Sequence, residues 1–105
     1  MSGEAEDPLH YEFDAEVIYW RGPAPFFYAP LPPPEAARLA RIANKVTYGW
    51  GAIPCMAIVG GVTFKTSLFP KDGTFLVPLK VTVRHKTGIT AGDTIHVDMT
   101  ITPKN

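Results

Sequence analysis

The sequence has a single cysteine, no net charge and no apolar run long enough to span a bilayer. One cysteine excludes an internal disulfide framework. Its apolar setting, Ile53-Pro54-Cys55-Met56-Ala57-Ile58, reads as a buried structural thiol in a reducing compartment. The N-terminus lacks the basic and then apolar order of a secretion leader, so the expectation is a cytoplasmic chain with no membrane contact. Ligand spacing of the paired-cysteine or paired-histidine kind is missing. His10, His85 and His96 fall on different elements, and no nucleophile elbow surrounds Ser67. Neither Gly49-Trp50-Gly51 nor Gly60-Gly61 opens a helix as a phosphate-binding loop does. We therefore expect no catalytic residues, no metal and no cofactor.

What is present is turn-forming residue and an uneven distribution of charge. The 105 residues include 11 prolines and 9 glycines, which favours many short elements in one domain. Residues 1–16 carry all of Glu4, Glu6, Asp7, Glu12, Asp14 and Glu16 and no lysine or arginine, leaving the rest of the chain with ten bases against four acids. Residues 1–9 read as a mobile acidic tail and 10–105 as a single β-barrel domain whose body carries a modest positive field.

From Tyr11 to Trp20, apolar Tyr11, Phe13, Ala15, Val17 and Tyr19 alternate with Glu12, Asp14 and Glu16, the period of a strand with one wet face. The alternation breaks at Ile18 and Trp20, which predicts a far end covered on both sides. Phe26-Phe27-Tyr28-Ala29 reads as a second strand paired with the first and ended by prolines. Residues 35–44 combine strong helix formers with a stripe of Leu39, Ile42 and Val46. Residues 53–59 and 62–69 form a hairpin turning on Gly60-Gly61, residues 74–79 a further strand ended near Pro78, and residues 93–102 an alternating closing strand. Residues 80–87 are ambiguous: Val81-Thr82-Val83 prefers a strand, whereas the basic residues before Gly88-Ile89 suit a short capped helix.

From Tyr11 to Thr102 the chain resembles the small prokaryotic family known as domain of unknown function 1905. The resemblance is carried by the aromatic first strand, the proline before a helix and the Tyr48-Gly49-Trp50-Gly51 loop. It continues through Thr66-Ser67-Leu68-Phe69-Pro70, Leu76 to Lys80, Val83-Arg84, Gly88-Ile89 and Gly92-Asp93. It implies a mainly β fold, a small double-split β-barrel-like pseudo-barrel, and helix within residues 80–87. With the strands above, this gives about six strands, one α-helix and one short helical turn. The run Phe26-Phe27-Tyr28-Ala29-Pro30-Leu31-Pro32 departs from the family by its extra prolines, and the family supplies no agreed activity to carry over.

Two constellations deserve weighing. Trp20, Arg21, Tyr48, Trp50, Lys65 and Arg84 could line a cleft for a small molecule or peptide, against the plainer reading that aromatics at barrel ends plug the core. Arg84-His85-Lys86 could contact phosphates, against the plainer reading of a solvated helix face. Arg84 could also hold free carbonyls or pair with Asp93. The leading functional expectation is a noncatalytic binding or interaction domain, monomeric or homodimeric, with a small molecule or protein as partner. A dimeric DNA-binding regulator is the alternative by analogy with the superfold, and an enzyme using groups such as His96 and Asp98 is the weakest.

Overall fold

The computed structural model describes residues 8–21, 25–46 and 51–103. In chain order they form β1 (His10–Glu16), β2 (Ile18–Arg21), β3 (Pro25–Pro30), α1 (Pro33–Val46), β4 (Ile53–Val59), β5 (Val62–Lys71), β6 (Thr74–Pro78), α2 (Val81–Thr87) and β7 (Thr94–Ile101). The strands make one seven-stranded sheet in the order β1-β7-β4-β5-β6-β3-β2, with every pairing antiparallel. Its two ends, β1 and β2, are consecutive in the chain, so the sheet curls into a half-barrel. The mainly β, barrel-like architecture is as expected.

The expected first strand divides at Val17, which turns six strands into seven. Val17 is buried, its N–H donates to the Asp93 carbonyl at 2.8 Å, and its own carbonyl accepts from Gly92 N–H at 2.9 Å. The residues before it pair with β7 and those after it pair with β3. β5 spans two neighbours in the same way, pairing with β4 through Leu68 and with β6 from Phe69.

One expectation is overturned here. The far end of the first strand is not covered on both sides: Ile18, Tyr19 and Trp20 are 37%, 43% and 40% exposed. They belong to a terminal strand of the sheet, so apolar composition on both faces of a strand does not here report burial on both faces.

The core fills from the alternating faces. Tyr11, Phe13 and Ala15 on β1, Cys55, Ala57 and Val59 on β4, and Ile95, Val97, Met99 and Ile101 on β7 all point inward. α1 begins with Pro33 and Pro34, which suit a first turn whose N–H groups have no intrahelical partner. It buries Ala36, Leu39 and Val46 and leaves Ile42 at the core margin. An arginine ties it to β1: Arg38 stacks 4.2 Å from the Tyr11 ring centroid and donates to the His10 carbonyl at 3.0 Å.

α2 settles the ambiguity over residues 80–87 in favour of helix. Val83 is its buried anchor, and Gly88 closes it in the left-handed conformation with φ 75° and an N–H bond to the Arg84 carbonyl. Gly60 and Gly61 make the β4–β5 turn with φ 57° and 79°, as a tight two-residue hairpin demands.

Candidate functional site

The β2–β3 hairpin carries aromatic residues on both faces, because paired positions alternate between faces along a strand. Tyr19 stands opposite Phe27, their ring centroids 5.0 Å apart in an edge-on arrangement. Arg84 of α2 lies over the Phe27 ring, its guanidinium carbon 3.5 Å from the centroid. Trp20 points to the opposite face, where it meets Tyr28 at 6.0 Å and Phe69 at 6.3 Å. Lys71 caps that group with its ammonium 4.3 Å from the Trp20 ring.

Trp20 and Arg84 therefore sit on opposite faces of the hairpin. Arg21 ends β2 and is exposed. Lys65 is elsewhere, in a surface cleft of about 540 Å³ with Met56, Ser67, Lys80 and Thr102. Tyr48 and Trp50 lie outside the described residues. Arg84 Nε also donates to the Ile89 carbonyl at 3.3 Å, one of the two structural roles expected for it. Asp93 instead accepts from Thr90 N–H at 2.9 Å. His85 and Lys86 are exposed in the last turn of α2.

A second group forms on the outer face of β1 and β7, joining His96 and Asp98, named above only for the weakest alternative, to His10, Glu12 and Asp14. The register sets Glu12 opposite Asp98 and Asp14 opposite His96. His10 Nε2 lies 2.8 Å from Asp98 Oδ1 and 3.7 Å from Glu12 Oε2. His96 Nε2 lies 3.2 Å from the other Glu12 oxygen, Oε1, and its Nδ1 lies 2.8 Å from Asp14 Oδ1. The hydrogen bond to Asp14, then that to Glu12, raises the His96 pKa above the usual 6.5. The alternate spacing His10-x-Glu12-x-Asp14 and His96-x-Asp98 was visible in the sequence as a wet strand face. Strand spacing alone does not reveal that the two faces adjoin; the pairing of β1 with β7 does.

Cys55 is buried, and its burial pushes the thiol pKa up to about 12, so it is no nucleophile at neutral pH. No helix among the described residues is long and apolar enough to cross a membrane. A comparison with curated proteins found no match. The family described as Domain of unknown function (DUF1905) matches over residues 13–99, from Phe13 in β1 to Met99 in β7. That match takes in the hairpin, both helices and all of the sheet but the start of β1 and the end of β7, and the chain belongs to this family.

Proposed function

We propose that the chain is a noncatalytic interaction domain that takes an extended, acidic segment of a partner protein along the free edge of β2. The observation that carries this reading is the exposure of all four β2 residues on a strand paired only with β3 among the described residues. Natural edge strands usually avoid large exposed apolar residues, because unpaired N–H and C=O groups invite another strand. Strand addition would satisfy those groups, while Ile18, Tyr19 and Trp20 supply apolar contact. Arg21 ends β2, and the Lys71 ammonium, 3.8 Å from Asp72, lies over the Trp20 ring; the charge of Arg21 above all favours an acidic occupant.

Titration of the chain with a labelled peptide alternating valine and glutamate tests the reading. Binding should be saturable, should fall as salt rises, and should weaken about tenfold or more in Arg21→Glu, as expected for a flanking charge turned repulsive. A lysine version of the peptide should not bind. Equal binding of both peptides, or indifference to Arg21→Glu, would contradict it. Duplex DNA belongs in the same assay: Arg84 is engaged by Phe27 and Ile89, which leaves His85 and Lys86 as the remaining cationic candidates of that segment.

A further inference from the structure

We infer that the outer face of β1 and β7 holds a site for a zinc-like divalent transition-metal ion, with His10, Glu12 and Asp98 as its protein ligands. The inference is independent of the proposed peptide edge, which lies on β2.

One atom from each of the three side chains lies within 4.8 Å of the others. The separations from His10 Nε2 to Asp98 Oδ1 and Glu12 Oε2, 2.8 and 3.7 Å, straddle the spacing of about 3.3 Å between ligands on a tetrahedron with bonds of about 2.0–2.1 Å. Small rotations of exposed side chains bring the set to that geometry. The ligands come from adjacent strands in continuous register from His10 to Glu16, so their backbones are fixed before an ion arrives. Side-chain exposures of 37% to 51% leave the outward position for water, as in three-ligand zinc sites.

Charge points the same way. Glu12 and Asp98 are directly opposed across the strand pair, an arrangement that is repulsive without a cation between them. Among the described residues their ion pairs are to imidazoles, with no lysine or arginine occupying the position. One nitrogen and two oxygen donors favour zinc and its neighbours over magnesium or calcium, which prefer oxygen-only shells.

His96 acts as a positioning residue. It holds Glu12 Oε1 and leaves Oε2 turned towards His10, while Asp14 anchors the imidazole from its other nitrogen. Outer hydrogen bonds of this kind orient metal-binding carboxylates.

The test is calorimetric titration of the chelator-treated full chain with zinc chloride, with the histidine ring signals followed by NMR. One ion per chain should bind, shifting the His10 signals and leaving His85 unmoved. His10→Ala and Asp98→Asn should each abolish saturable binding, and His96→Ala should weaken it about tenfold. Magnesium chloride should give no saturable binding. Circular dichroism of each variant separates a lost site from a lost fold, and Glu12→Gln serves if either variant misfolds. Zinc binding retained in His10→Ala, equal response to magnesium, or no saturable binding to the folded chain would overturn the inference.

Discussion

Arg84 shows how one side chain can be consumed by structure. Its guanidinium covers the Phe27 ring and its Nε holds the Ile89 carbonyl just beyond α2, so it links the helix to the hairpin. Arg84→Ala should cost ~1–2 kcal/mol of stability in a denaturant titration, the sum of a cation–π contact and one hydrogen bond. Arg84→Lys should recover only part, because an ammonium cannot both lie flat on the ring and present a planar donor. Cys55 makes a simpler prediction. With its thiol pKa at about 12, the folded chain should resist alkylation at pH 8 and react rapidly once unfolded. Fast labelling of the folded chain would contradict its burial. His96 carries a pH dependence of definite sign. Its pKa is raised in the folded state, so its contribution is fully present below about pH 6.5 and is lost as pH rises through the folded value. NMR titration in metal-free buffer should place its midpoint above that of His96 in Asp14→Asn.

At the scale of elements, the sequence was most legible where local signals agreed. The alternation of β7 and the tight turn at Gly60-Gly61 appear where expected, and α1 exceeds its expected 35–44 by about a turn in all because two prolines and the Val46 anchor extend it. The family resemblance favoured helix for α2, which was ambiguous from its residues: strand by its β-branched opening, capped helix by its basic residues before Gly88. Its Val81-Thr82-Val83 opening disfavours helix, and seven residues cannot hold a helix by propensity. The burial of Val83, the Gly88 cap and the Thr87 hydroxyl bond to the Val83 carbonyl hold it instead. That helix also presses on the β4–β5 turn: a Cβ at Gly60 would lie 2.8 Å from Thr87 Cγ2, at a φ of +57°. Gly60→Ala should therefore lose ~1–2 kcal/mol from the left-handed backbone alone. Gly61→Ala, at a φ of +79° with no neighbour within 4 Å, should bear that backbone cost without the added clash.

At the scale of the whole molecule, the decisive feature is the division of residues 10–21 between two ends of one curled sheet. β1 alternates and buries a clean face, whereas β2 is apolar and exposed. Sequence alone gave no measure of that difference, because a continuous apolar run is the same string whether a second layer covers it or not. The histidine and carboxylate group was hidden for a related reason: its members are 84 and 88 positions apart for the His96–Glu12 and His10–Asp98 contacts, and only strand pairing joins them. Stability, by contrast, should rest on the shared interior. Leu39, fully buried where α1 meets the sheet, should cost ~2–5 kcal/mol on replacement by alanine.

Amide hydrogen exchange along β2, measured with and without the valine–glutamate peptide, tests the central claim most directly. In the free chain, the amides of Ile18–Arg21 that face away from β3 should exchange far faster than those of β7. Saturating peptide should slow them and leave α2 unchanged. Protection of every β2 amide in the free chain, or no slowing at saturation, would contradict the account.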